Sequence, residues 1–469
     1  MWYDIVYYSS LLVCISLGRN YRKISDIEMK RNYGAGLGFL VCCLLCGRYL
    51  YHAIIMVWGN IVIIKCCERR YVHQMSLGFT WLDLLYIHCN VDDAVYAIWV
   101  HQTIALRLVG LAFELNSADM TKLEQKPGPS SVKINIADVD SIHVEPYAVD
   151  IIAYAFFFVG LHKDSYYRWA VFNDHFRNSL SSIGDCRTLT EQKLKKAFLS
   201  CIAYFLLRMK YSPTVYNNEK FYEDYAVDIR YLYNIPQLLM YYLQCQIINL
   251  LCTSVAVESG FGLYPAKCQP IPGYGPSTNL NLMKSAYGNE VFSDSPDALI
   301  HYEFSFGMLK CYDNEKLIFG PKMKNTISSW DMPTRYWFFT NIYKRFSKSN
   351  TEVRSASSFL VWTIWNGPFL SQIIISTTLW VYMQLESEYS ELYNTSGAMK
   401  LPWDIGFSIM RVFCLIYLTP CFILNDSATL LKYYGSIFWV YHVILVVLTV
   451  GAVVMHKTRT NQIVHTSTL

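Results

Sequence analysis

The residues that could do chemistry in this chain are the charged and amide side chains inside or beside its long apolar runs. On insertion scales a charge at the centre of a bilayer costs about 2.5–3.5 kcal/mol, so each such residue is a functional candidate. Glu258 follows the apolar run Ile247–Val257 and precedes Gly260-Phe-Gly-Leu-Tyr-Pro265. It reads either as a carboxylate lining a cavity or as a helix-end carboxylate at the interface. Arg107 and Arg411 lie deeper in their runs, where pairing with a carboxylate such as Asp83 or Asp404 would neutralise them. Tyr166-Tyr167-Arg168 follows another apolar stretch and fits two roles, an aromatic anchor at the interface or an arginine that pairs with phosphate. His88, His101, His162, His301 and His442 share no metal-ligand spacing. No HExxH, paired CxxC, GxSxG or phosphate-binding glycine loop occurs. No metal site is expected.

Two short stretches carry more. Ser328–Arg345 runs SSWDMPTRYWFFTNIYKR, an aromatic helix start closed by a basic end. Ser355–Pro368 runs SASSFLVWTIWNGP and sets Trp365-Asn366-Gly367-Pro368 in the middle of an apolar run. Gly-Pro there breaks or kinks the helix, which a membrane tolerates only in a protein interior or a wet cavity.

The elements that must position these residues are membrane helices. The 469 residues are 53% hydrophobic and only 16% charged, where soluble domains carry about 25% charge. The mean hydropathy is +0.21. The 37 Tyr and 12 Trp suit the headgroup zone. Basic residues are scattered rather than striped, so nucleic acid is not an expected partner. The 15 cysteines are odd in number and mostly sit inside apolar runs, unlike a disulfide framework. Cys66 and Cys67, beside Lys65, Arg69 and Arg70, form a juxtamembrane acylation pattern that is weak by itself.

A span needs about 20 apolar residues. The chain offers Trp2–Leu17, which reads as a first span or signal anchor. Tyr33–Ile64 reads as two short helices in a hairpin broken at Gly47-Arg48. Met75–Cys89 and Ala94–Phe113 turn at Asp92-Asp93. Then come Tyr147–Leu161, Leu194–Leu207, Ile235–Val257, the short aromatic helix Trp330–Tyr343, Phe359–Met383, Ile405–Leu424 and Ile437–Met455. The reading is an all-α polytopic membrane protein of ten or eleven transmembrane or re-entrant helices, one multi-pass domain over 1–469. A cytoplasmic loop at 117–149 and a polar loop or lid at 266–329 interrupt it. The basic loops 18–32, 65–73 and 117–149 agree in parity and face the cytoplasm. The C-terminal half does not orient cleanly: the sequon at Asn394 suits the lumen, whereas Lys457 and Arg459 favour the cytoplasm.

Trp330-Asp331-Met332 and Trp365-Asn366-Gly367 lie 35 residues apart. They resemble the two signature regions of the membrane-bound O-acyltransferase family, an Asn in a W-N-x-x-V-Q-x-W-L-type helix and a His in an S-A-x-W-H-G-x-x-P-G-type segment. Glu258-Ser-Gly-Phe-Gly-Leu-Tyr-Pro265 resembles the E-x-x-x-A-G-F-G-x-Y-P stretch of its lysophosphatidylinositol acyltransferase branch. Leu232–Tyr242 and Tyr147–Phe172 are similar to further segments, and the span order matches along nearly the whole chain. The resemblance implies helices around a central cavity in the endoplasmic reticulum membrane. It implies transfer of an acyl group from acyl-CoA, as co-substrate with no cofactor, to a lysophospholipid such as lysophosphatidylinositol. By carry-over Asn366 and Asp331 occupy the catalytic positions, and Glu258, Arg168, Trp330 and Trp365 line the substrate cavity. The family Asn is Asp331 here, its His is Asn366, and the Gly-Pro of the earlier segment is Lys163-Asp164. Imidazole can accept the proton of the attacking hydroxyl, and a carboxamide cannot. The alternative reading is therefore a catalytically silent member that binds lipid or a protein partner. Polar residues in spans would also suit a transporter, but no internal repeat is visible.

Overall fold

The computed structural model describes residues 2–91, 94–124, 146–163, 166–177, 186–280, 303–346, 349–392 and 397–467. The Asp92-Asp93 turn, most of the 117–149 loop, Asp164, Ser165, His301, the Asn394 sequon and residues 281–302 of the 266–329 segment lie outside the described residues. By its internal contacts the chain divides into two compact units. The first comprises Met1–Phe198, Ile247–Cys311 and Asp331–Arg345, and the second Leu199–Gln246, Tyr312–Trp330 and Phe346–Leu469.

In the first unit α1 (Trp2–Arg22) and α2 (Ile27–Cys46) pack together. The Asp26 carboxylate starts α2 by accepting the Met29 amide at 2.7 Å, an N-cap that satisfies one of the helix's orphan donors. A 3-10 turn at Gly47–Tyr49 leads into α3 (Leu50–Cys66). The expected hairpin is not formed: Ile27–Cys66 runs on as one 40-residue segment, because a single 3-10 turn redirects a helix without reversing it. Then come α4 (Val72–Asn90) and α5 (Val95–Glu124), which pack on each other and on α3.

The run expected as a span at Tyr147–Leu161 is helical only over α6 (Ala148–Ala155). Eight residues rise about 12 Å, too little to cross a bilayer. Residues 156–162 are nonetheless buried. Their backbone is satisfied from another helix: Arg107 of α5, fully buried, donates to the carbonyls of Tyr154, Ala155 and Phe157 at 3.2, 3.2 and 2.8 Å and to that of Val159 at 2.5 Å. The pairing of Arg107 with a carboxylate is thereby corrected, since its guanidinium serves backbone carbonyls. Asp83 instead pairs with His52, at 3.2 Å. Gly38 of α2 lets this irregular segment lie directly against the helix, where a Cβ would fall 1.7 Å from the Phe156 carbonyl oxygen. The unit continues through α7 (Trp169–Arg177) and α8 (Cys186–Lys210), which passes into the second unit after Phe198.

In the second unit α9 (Glu219–Asp224) and α10 (Val227–Leu232) precede α11 (Asn234–Glu258), whose second half from Ile247 belongs to the first unit. Back in the first unit, β1 (Tyr264–Pro265) pairs antiparallel with β2 (Phe304–Ser305), Tyr264 opposite Ser305. The second unit adds α12 (Asn314–Phe319) and α13 (Met323–Ser329), and the first adds α14 (Met332–Phe338) with the π-turn Phe339–Tyr343. Five helices complete the second unit. Of these, α15 (Thr351–Asn366) and α16 (Leu370–Leu392) pack on one another across the Gly367-Pro368 break. After α17 (Lys400–Ile423), α18 (Ser427–Ser436) and α19 (Val440–Ser467) meet at a 67° bend. Arg411 of α17 also serves carbonyls rather than a carboxylate, those of Leu317 (2.6 Å) and Ile318 (2.7 Å), together with the Thr326 hydroxyl (3.0 Å). Tyr417, Tyr433, Tyr434 and Tyr441 dominate this unit's core.

Four described helical segments are long and apolar enough to cross a membrane: Ile27–Cys66, Val95–Asp119, Val227–Glu258 and Lys400–Ile423. Counting the bent pair α18–α19 makes five. The protein is thus an all-α, multi-pass membrane protein, with fewer helices meeting the full span criterion than the ten or eleven expected.

Candidate functional site

Asp331 begins α14, in the first unit. Its backbone is left-handed, at φ 41° and ψ 61°, a conformation Asp and Asn visit more readily than other L-residues. The strain is held from both sides. The Met332 amide donates to the Cys311 carbonyl at 2.8 Å, and the Asp331 carboxylate accepts the Thr334 amide at 3.3 Å as N-cap. The helix it starts is driven by aromatic burial: Trp337, fully buried, stacks on Trp81 at 5.5 Å and 13° and donates its indole N–H to the Leu106 carbonyl at 2.9 Å.

Arg168 lies in the same unit and meets α14 through the loop Pro272-Gly-Tyr-Gly-Pro276. The guanidinium of Arg168 stacks over the Tyr274 ring at 3.6 Å, its Nε donates to the Tyr274 carbonyl at 2.8 Å, and its amide donates to the Gly273 carbonyl at 3.2 Å. Gly273, at φ 75°, sits where a Cβ would come within 3.2 Å of the Pro333 backbone and 3.1 Å of the Tyr336 ring. Tyr336 stacks with Tyr166 at 6.5 Å and meets Tyr274 edge-on at 5.8 Å. Glu114 of α5 steadies this arm by accepting the Trp169 amide at 2.9 Å.

Glu258, 6% exposed, ends α11. The turn after it carries Phe261, which packs on Tyr167 at 4.6 Å and on His175 at 5.1 Å. The first unit therefore gathers Asp331, Arg168 and Glu258 on elements linked by Gly273 and Phe261.

Trp330, Trp365 and Asn366 belong to the second unit. Trp330 stacks with Tyr241 at 6.2 Å and meets Tyr312 edge-on at 4.8 Å. Asn366 is the last residue of α15, which Gly367 ends at φ 106°. Its amide N–H donates to the Trp362 carbonyl one turn back, at 3.0 Å. Trp365 is 8% exposed. Elsewhere in this unit the buried Glu386 accepts the Met323 and Lys324 amides at 2.9 and 3.2 Å and fixes the start of α13.

Sequence reasoning missed Glu114, Tyr274 and Tyr336. The Pro-Gly-Tyr-Gly-Pro run was the available signal, a turn cluster inside a segment read only as a polar lid.

No family model matches the chain. It is similar over almost its whole length to curated proteins. The membrane-bound acylglycerophosphatidylinositol O-acyltransferase of Drosophila melanogaster is 22% identical over 455 residues, covering 94% of this chain and 89% of that protein. The one of Danio rerio is 23% identical over 458 residues, 95% and 92% of the two chains. The one of Homo sapiens is 21% identical over 442 residues, 92% and 90%.

Proposed function

Because this chain belongs to the membrane-bound O-acyltransferase family, as a distant full-length relative, we propose that it binds acyl-CoA and a lysophospholipid of the lysophosphatidylinositol type. In this reading it sits in the endoplasmic reticulum membrane and has lost most of the turnover of that reaction. The ligand class follows from the relatives' shared activity and the chain's full coverage of them. The loss follows from the two positions where proton transfer would take place.

The reaction needs a group that takes the proton of the attacking hydroxyl as the thioester carbonyl is attacked. At Asn366 the side chain is an amide with no basic lone pair at neutral pH, and its N–H is turned back onto the Trp362 carbonyl. At Asp331 a carboxylate is present, but it caps α14 through the Thr334 amide. That single observation, an amide at one position and a capping carboxylate at the other, carries the reading. Losing a general base removes about 10²–10⁴ in rate. The lining roles of Glu258, Arg168, Trp330 and Trp365 are part of the same proposal. Arg168, stacked on Tyr274, would meet the anionic phosphate of the acceptor.

The test uses the purified full-length protein in detergent with labelled arachidonoyl-CoA and lysophosphatidylinositol. Wild type should show no product above background, while saturable lysophosphatidylinositol binding persists. The double change Asp331→Asn with Asn366→His should restore turnover. The first substitution keeps a good N-cap, so the double variant should fold. Robust turnover by wild type that is abolished by changing Asp331 or Asn366 would falsify the silent reading and leave an active acyltransferase.

A further inference from the structure

Helix α3 presents one continuous apolar stripe outward. Tyr51, Ile55, Trp58 and Val62 are 51%, 47%, 56% and 56% exposed. They recur at the spacing of one helix face, while His52, Met56, Val57, Asn60, Ile61 and Ile64 fill the other face and are buried. The stripe lies in a segment long and apolar enough to cross a membrane, Ile27–Cys66, where an exposed apolar face suits lipid. Cys66 is its next member, four residues after Val62, and its thiol is exposed at the last position of the segment. Cys67, half-buried, follows it; Lys65, Arg69 and Arg70 outnumber the one adjacent acid, Glu68, and Arg69 also pairs with Asp119 at 3.9 Å.

The loop carrying these residues is fixed rather than frayed. The Cys67 amide donates to the Ile63 carbonyl at 3.0 Å. The Asn116 side chain donates to the Arg69 carbonyl at 2.9 Å. Arg345, just beyond the π-turn that extends α14, donates to the Asn116 side-chain oxygen at 3.0 Å and to the Ser117 hydroxyl at 2.7 Å. The loop after Cys66 is thus tied, through Asn116, to Arg345.

We propose that Cys66 is a site of S-acylation by a long-chain acyl-CoA, with the attached chain lying along the Tyr51–Val62 stripe in the bilayer. The Cys66 thiolate attacks the thioester carbonyl carbon. The bond from that carbon to the CoA sulfur breaks, and CoA leaves as the thiolate that takes up the proton lost by Cys66. One thioester replaces another and nothing is oxidised or reduced. The basic flank favours the approach of the polyanionic CoA. Cys89 is an internal control. It is also exposed, but in sequence it is followed by Asp92 and Asp93 instead of basic residues.

The experiment is metabolic labelling of cells expressing the full-length chain with an alkyne palmitate analogue, then click detection on the purified protein. Acylated peptides of the wild type are mapped by mass spectrometry. The expected result is a hydroxylamine-sensitive label on the peptide containing Cys66, lost in Cys66→Ser and retained in Cys89→Ser. Mass mapping of the wild type makes the outcome independent of how the variants fold. Absence of label on wild type, or full label in Cys66→Ser, overturns the proposal.

Discussion

Replacing Arg107 with Met keeps most of the side-chain volume and removes the guanidinium. Four carbonyl oxygens accept from that group, but they do not lose equally. The Val159 oxygen keeps the Tyr167 hydroxyl at 3.1 Å, and the Tyr154 oxygen keeps the Phe157 amide at 3.4 Å. Among the described residues, Ala155 and Phe157 have no other donor to their carbonyls. An orphaned buried acceptor costs about 1–3 kcal/mol, so two cost about 2–6 kcal/mol. Removing a fully buried cation also returns its own burial penalty, which places the net at the lower end, about 2–4 kcal/mol. That is about a 30- to 1,000-fold shift in the folded ratio. The melting temperature of detergent-purified protein, read by size-exclusion after heating, should fall by roughly 2–4 °C. Arg107→Lys, a point donor without the planar fork, should fall between wild type and Met. Hydrogen exchange should locate the damage, with amides of residues 154–161 losing protection before those of α4. A Met variant that melts within about 1 °C of wild type, with unchanged exchange in that segment, would refute the reasoning that the guanidinium replaces a helix's own hydrogen bonds there.

Two further outcomes rest on separate features. Gly38→Ala should abolish folded protein, because the new Cβ would sit 1.7 Å from the Phe156 oxygen and 2.8 Å from the Phe158 nitrogen, both backbone. Gly36→Ala two residues away meets nothing within 4 Å and should be neutral or stabilise by about 0.5–1 kcal/mol; equal expression and monodispersity of both variants would refute the contact. Asp426, fully exposed, caps α18, and the Thr429 hydroxyl, the Thr429 amide and the Ala428 amide together hold its carboxyl below the usual 3.8. A depressed folded value means the cap contributes fully above the unfolded pKa, near 4, and is lost as pH falls through the folded value. Exchange at the start of α18 should therefore quicken in acid after correction for intrinsic rates, and Asp426→Asn, which caps without titrating, should remove that dependence. An unchanged acid response in the Asn variant counts against the cap.

The sequence by itself determined the class of solvent and the helical material. Few charges and long apolar runs specify a multi-pass helical protein, and these are sums over neighbours in the chain that need no partner; the parity of the basic loops did not survive, because it counted Tyr33–Ile64 as two spans and Ile27–Cys66 is one segment. Local breakers were legible too. Gly367-Pro368 separates α15 from α16, because φ freedom is a property of a residue and its next few neighbours; the aromatic helix was expected from Trp330, and it starts at Met332 with Asp331 as its N-cap. The match of motif spacing also pointed to the family that the full-length relatives support. Only the tertiary structure decided where the long-range polar debts are met. Hydropathy counts Tyr147–Leu161 as a span, yet Arg107, some fifty residues earlier, supplies the donors that let that segment leave the helix and stay buried. The same holds for Arg168, whose stacking partner Tyr274 lies more than a hundred residues away, and for Arg411, whose carbonyl partners come from α12. A guanidinium can satisfy carbonyls on any element that reaches it, so its partner is set by packing and not by spacing along the chain.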